Sequence, residues 1–131
     1  MIGIDTDVLL RLLLNDDAGQ MASIEKLFDA YAQRPGSVLI SDVVLAETVW
    51  TLGAVYRQPK AALLNALRAM LAEPAYAFES RAAVEHAVES CAGGRAGFSD
   101  ALIVAKNAAA GCEFTASFNR ALRGVAGANV L

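Results

Sequence analysis

A parallel α/β sandwich is the fold class that this sequence predicts, and three observations predict it. Short apolar runs alternate with longer segments of helical periodicity along the whole chain. Several of the short runs are apolar throughout, as strands covered on both faces are. The helical segments open on hydroxyl and acidic residues, which satisfy the free N–H groups of a first turn and meet the positive end of the helix dipole.

Taken in order, strand 1–5 (MIGID) leads into a helix over 6–15, opened by Thr6 and Asp7. A second helix spans 18–34 and stops before Pro35 and Gly36. Strand 37–41 (SVLIS) feeds helix 41–57, where Ser41 and Asp42 mark the start and Ile40 is spaced to staple onto Leu45. Pro59 separates that helix from the next, over 60–72, and strand 75–78 (AYAF) precedes helix 80–92. Helix 99–111 starts at Ser99 and Asp100, with Phe98 spaced to reach Ile103, and Gly111 closes it. Strand 113–117 (EFTAS), a short helix at 119–123 closed by Gly124, and strand 128–131 (ANVL) complete the chain.

A length of 131 residues falls within the span of one domain, and 56% hydrophobic residues with a mean hydropathy of +0.40 supply a single core. No repeat, low-complexity tract or Gly/Pro-rich linker interrupts the chain, so residues 1–131 are read as one domain. The N-terminus has no basic region and meets a charge at Asp5, unlike an ordinary secretory signal; a cytoplasmic protein is expected. Arg11, Glu47, Arg68 and Lys106 break the most apolar helices, which argues against a membrane span. Cys91 and Cys112 lack metal-type spacing and are expected to behave as small hydrophobes. With a net charge of −3 and a pI near 5.0, the average field does not attract polyanions, so any nucleic-acid contact must come from local groupings such as Arg57/Lys60 and Arg120/Arg123.

Three carboxylates stand where a structural sequence would more comfortably carry an apolar residue: Asp5, Glu47 and Asp100. Asp5 follows the first strand, at the carboxyl edge where open parallel sheets collect ligands, and equally suits a residue beside a helix cap. Glu47 shares a helical face with Val43, Val44, Trp50 and Thr51, and equally suits an acid reaching to water from the border of a buried stripe. Asp100 heads a helix whose next turn, Ile103 and Val104, is predicted to be buried. Like charges gathered at a sheet edge need a cation to hold them, and oxygen ligands without a His or Cys cluster suit Mg²⁺ or Mn²⁺ rather than zinc.

The blocks Ile4-Asp5-Thr6-Asp7-Val8-Leu9-Leu10-Arg11, Ile40-Ser41-Asp42-Val43-Val44-Leu45-Ala46-Glu47, Phe98-Ser99-Asp100-Ala101-Leu102-Ile103 and Phe114-Thr115-Ala116-Ser117-Phe118-Asn119-Arg120 resemble, in order and spacing, those of PIN-domain ribonucleases, especially VapC-type toxins of bacterial toxin–antitoxin pairs. The resemblance implies an α/β/α sandwich with a mostly parallel five-stranded sheet. It also implies an acidic pocket for one or two Mg²⁺ or Mn²⁺ ions, and RNA hydrolysis by metal-activated water. By that likeness Asp5, Glu47 and Asp100 are the metal-binding, catalytic carboxylates, and Asn119 completes the catalytic set. Thr6, Ser117, Arg95 and Arg120 are the residues expected to face substrate, with Lys106 and Arg123 as weaker candidates. His86 is given no catalytic role.

Two positions depart from the family pattern. Asp7 stands where Asn is usual, and Asn119 stands where a fourth acid is common, in a Thr/Ser-x-Asp pattern that here reads Ser117-Phe118-Asn119. An Asn carbonyl ligates a hard cation but brings no charge, so one tight divalent site with a weak or absent second is expected. The alternative role of Asn119 is to cap the short helix that follows.

Two rival readings remain. Ile2-Gly3-Ile4-Asp5-Thr6-Asp7-Val8 also fits the first motif of haloacid-dehalogenase-like phosphatases, with Asp5 as nucleophile and Asp7 as general acid, and Val38-Leu39-Ile40-Ser41 imitates the second. The chain is short for that fold, and no lysine follows its third strand. The other rival is a non-catalytic PIN domain that binds RNA or protein. The toxin likeness further implies a homodimer and a small antitoxin whose tail covers the acidic pocket and the apolar helices 6–14 and 41–57, which carry Trp50 and Tyr56.

Overall fold

In the computed structural model, which describes residues 1–131, strands and helices alternate as the periodicity predicts. Strands β1 (Ile2–Gly3), β2 (Val38–Ile40) and β3 (Tyr76–Phe78) pair in that order, all parallel, with Ile2 opposite Val38 and Val38 opposite Tyr76. Strands β4 (Thr115–Ser117) and β5 (Ala128–Val130) form a second parallel pair. All five expected strands therefore exist, but they form sheets of three and two strands rather than one of five. The ladders are short, each strand pairing over only two or three residues, and β1 includes Gly3, which adds no side chain to its edge.

The chain divides into two compact units, Met1–Glu79 and Ser80–Leu131. The first holds α1 (Thr6–Leu14), α2 (Ala18–Tyr31), α3 (Asp42–Ala54) and α4 (Lys60–Ala72) with the three-stranded sheet. Its buried residues include Leu9, Val38, Ile40, Leu45, Leu52 and Leu67, and α1 packs on both α2 and α3. The second holds α5 (Arg81–Ala92), α6 (Phe98–Ala109), the two-stranded sheet and a 3-10 turn at Arg120–Leu122, and α5 packs on α6. There Ala96, Val104 and Leu122 form a buried cluster lined by Val125, Ala128 and Val130.

Three local expectations are corrected. The N-cap of α1 is Asp5 rather than Thr6: its backbone is extended (φ −94°, ψ −178°), and its carboxylate accepts from Val8 N–H. The N-cap of α6 is Gly97 rather than Ser99, so Phe98 lies inside the helix. Ile103, five residues on in the same helix, therefore points about 140° away from buried Phe98, and it is exposed, so neither the expected staple nor the expected burial of Ile103 is found. Ser41 caps α3 as expected, accepting from Val44 N–H. Asn15 ends α1 in the left-handed region (φ 49°), which Asn tolerates better than most residues. No helix is long and apolar enough to cross a membrane.

Candidate functional site

Parallel pairing of β1, β2 and β3 sends three chain segments off the same carboxyl edge: Asp5 after β1, Ser41 and Asp42 after β2, and Glu79 after β3. Asp5 is exposed and Oδ1 accepts from Val8 N–H at 3.0 Å, so the capping role and an available second oxygen coexist in one carboxylate. Thr6, the next residue, donates its hydroxyl to Glu47 Oε2 at 3.3 Å. This bond joins positions 41 residues apart and brings the β1–α1 turn and the middle of α3 to one place.

Glu47 does not border a buried stripe. It is exposed, and Val43 and Trp50 on the same face are 65% and 64% exposed, so the carboxylate rises from an apolar surface open to solvent. The buried side of α3 carries Leu45, Thr48, Val49 and Leu52 instead.

Glu79 is the residue that sequence reasoning missed. Its Oε2 accepts from Asp42 N–H at 2.8 Å, adding an anionic cap to the α3 N-terminus beside Ser41, and Asp42 itself is buried. The available signal was its position directly after a strand, the same placement that singles out Asp5. Asp7 lies in the first turn of α1, at the positive end of the helix dipole as expected, and lines a cavity of about 220 Å³ with Val8, Arg11, Gln20, Ser23 and Ile24 of α1 and α2. Arg11 in that cavity bonds Asp16 and, at 3.5 Å, the Tyr56 hydroxyl; the Tyr56 bond is the main cause holding its guanidinium above its ordinary pKa.

In Ser80–Leu131, Asp100 lies in the first turn of α6, half-buried, and its Oδ2 accepts from Asn119 Nδ2 at 2.8 Å. Asn119 also caps the 3-10 turn, its Oδ1 accepting from Ala121 N–H at 3.0 Å. Its own N–H donates to Ser117 Oγ at 2.9 Å, and Ser117 is half-buried. The capping role considered for Asn119 is therefore present. Arg95 and Arg123 line a cavity of about 270 Å³ with Glu89, Ser90, Gly93 and Gly94, and Arg120 is exposed on the 3-10 turn.

Within neither unit does a group of three or more His, Cys, Asp or Glu side chains stand together as a metal cluster. What the acids share is their fastening. Asp5, Glu47 and Asp100 each accept one hydrogen bond through one oxygen, while the other oxygen accepts none from the protein. A carboxylate so held loses rotamer freedom yet retains a hard, anionic donor, the chemistry that suits Mg²⁺ or Mn²⁺.

No curated protein matches the chain. Among solved structures, VapC20 of Mycobacterium tuberculosis, a toxin that cleaves the sarcin-ricin loop, is similar at 21% identity and a TM-score of 0.42, over 90% of this chain and 88% of that one. The model of the PIN domain family matches residues 2–128, which takes in both units and every acid described above. The chain therefore belongs to the PIN domain family.

Proposed function

We propose that this PIN domain, spanning residues 1–131, is a divalent-metal-dependent endoribonuclease and the toxin of a toxin–antitoxin pair, with Asp5, Glu47 and Asp100 holding the metal. The observation that carries this reading is the common fastening of the three acids: one oxygen anchored, one available. The family match across both units supports treating them as parts of one domain. The donor set contains only oxygen, which fits Mg²⁺ or Mn²⁺ and not a soft metal.

When bound, such a cation supplies Lewis-acid activation of water and offsets charge developing at the phosphate. The chain supplies orientation. Val8 N–H fixes Asp5, the Thr6 hydroxyl fixes Glu47, and the Asn119 carboxamide fixes Asp100, so Thr6 acts as a positioning residue rather than as the substrate contact its sequence position suggested. Arg95 and Arg123, which share one cavity, and the exposed Arg120 are the groups suited to the RNA backbone, since guanidinium forks match phosphate oxygens. Exposed Val43, Trp50 and Val55 on and just beyond α3 support protein partners, a second copy and an antitoxin, because such apolar area is seldom left to water.

Purified protein incubated with single-stranded RNA and Mg²⁺ or Mn²⁺ tests the reading. Cleavage by wild type and its loss in Asp5→Asn is expected. Cleavage in both preparations would expose a contaminant. No cleavage in either would overturn the enzymatic reading in favour of a PIN domain that only binds, the role for which Asn119 at the fourth acidic position argues.

A further inference from the structure

Phe118 is the most exposed aromatic side chain of the protein, at 82% against 64% for Trp50 and 47% for Phe114. A single apolar side chain in water needs no explanation by itself. What sets Phe118 apart is how it is held and what lies beside it. It is the first of only two residues between β4 and the 3-10 turn, and hydrogen bonds fix the backbone on both sides of it. Before it, Ser117 C=O accepts from Leu131 N–H at 2.8 Å and Ser117 Oγ accepts from Asn119 N–H at 2.9 Å. After it, Asn119 accepts from Ala121 N–H at 3.0 Å and donates to Asp100 Oδ2 at 2.8 Å. The ring therefore stands in solvent on a fixed support, next in sequence to the carboxamide that touches Asp100.

The charge around this support has one sign. Residues 114–131 carry Arg120 and Arg123 and no Asp, Glu or Lys, in a chain whose net charge is −3. Arg120, two residues beyond the ring, is exposed, and its guanidinium makes no ion pair or side-chain hydrogen bond. An exposed aromatic ring paired with a free guanidinium is the combination by which proteins grip single-stranded nucleic acid: the ring offers a stacking face and the cation a phosphate contact. A protein surface would also gain from covering the ring, but the positive segment around it favours a polyanion.

We propose that Phe118 stacks on an unpaired base of the RNA while Arg120 holds an adjoining phosphate, which makes Phe118 a residue that selects RNA single-stranded beside Asp100. This rests on the ribonuclease reading above and adds the strand state of the substrate to it. Every base has a stacking face, so the ring discriminates strand state and not sequence. In a duplex those faces are covered by neighbouring bases, and the ring has nothing to stack on.

Binding measured in EDTA, where divalent metal plays no part, tests the proposal. The probes are a labelled single-stranded RNA of mixed sequence and the same strand annealed to its complement. Phe118→Ala and Phe118→Leu are each expected to weaken binding of the single strand at least about fivefold, while Phe118→Trp keeps the wild-type affinity. Binding of the duplex should be the same in all four proteins. The emission of Phe118→Trp, read above the Trp50 background of wild type, should be quenched by the single strand and not by the duplex. The side chain is exposed, so these variants are expected to retain the wild-type Tm.

Wild-type affinity in Phe118→Leu would reduce the ring to an apolar contact and overturn the stacking role, as would equal losses for single strand and duplex. If Phe118→Ala binds RNA as wild type does but shifts from dimer to monomer in sedimentation, the ring belongs to a protein interface and the proposal is overturned. If wild type binds no single-stranded RNA, the stacking role falls together with the ribonuclease reading. That failure is distinguishable from the others, in which wild type binds and only the dependence on Phe118 is missing.

Discussion

Asp5 and Glu47, in Met1–Glu79, are held by a backbone N–H at 3.0 Å and a hydroxyl at 3.3 Å, both rooted in the start of α1. Asp100, in Ser80–Leu131, is held by a carboxamide on a loop 19 residues away in sequence. The supports also differ in depth. α1 continues directly into Leu9, which is wholly buried, whereas Asn119 is exposed and caps a turn of three residues. The first unit thus ties its acids to a helix anchored in the core, and the second ties its acid to a surface turn. The lesson is that carboxylates of one proposed role need not be equally rigid, and that the less anchored half is where this chain departs from the family's acids.

The largest effect should come from removing either kind of acid. Asp5→Asn and Asp100→Asn are each expected to lower kcat for RNA cleavage on the order of 10³-fold, because each deletes an anionic donor at the reacting centre. A loss for Asp5→Asn with none for Asp100→Asn would confine the chemistry to the first unit. Next, Leu9→Ala should destabilise the protein by about 3 kcal/mol in chemical unfolding, the usual cost of a cavity at a wholly buried leucine. A loss below about 1 kcal/mol would mean that α1 is not the firm support described.

Thr6→Val keeps the shape of the side chain and removes the donor to Glu47. Cleavage should fall about tenfold in kcat with KM nearly unchanged, the signature of lost positioning rather than lost substrate binding. A rise in KM alone would instead return Thr6 to the substrate-contact role. Asn119→Ala should cost about 1 kcal/mol of stability, a normal N-cap loss, and far less than Leu9→Ala. Equal costs would erase the contrast between core-anchored and surface-anchored supports.

The smallest effect concerns pH and belongs to the first unit alone, which holds all three tyrosines. Burial, reinforced by the charge of Glu73, raises the Tyr76 phenol above its ordinary value. Its folded-state pKa lies above the unfolded one, so its contribution is fully present below about pH 10 and is lost as the pH rises through the folded value. Unfolding of Tyr76→Phe measured from pH 9 to 11 should show a shallower decline than wild type; parallel declines would remove Tyr76 as the cause.

Much of the architecture was legible because it is periodic. Helix 60–72 coincides with α4, and the other helices are displaced by only a few residues at their ends, since Pro35, Pro59 and the glycines around 93 and 111 punctuate the chain where the helices stop. Capping was legible only to within a residue or two. Ser41 was read correctly, but Asp5 and Gly97 displaced Thr6 and Ser99, because a cap is the residue that still has extended backbone when the helix begins, and neighbouring polar residues compete for that place.

By itself, then, the sequence determined what local periodicity and residue chemistry can encode: alternating strands and helices, parallel pairing, and the identities of Asp5, Glu47 and Asp100 as displaced acids. Tertiary structure alone decided which group holds each acid beyond its own helix turn. Thr6 with Glu47, Glu79 with Asp42 N–H, and Asn119 with Asp100 are bonds across 41, 37 and 19 residues. No repeat of 2 or 3.6 residues can register such partners, because they meet only after the chain has paid the entropy of bringing distant segments together.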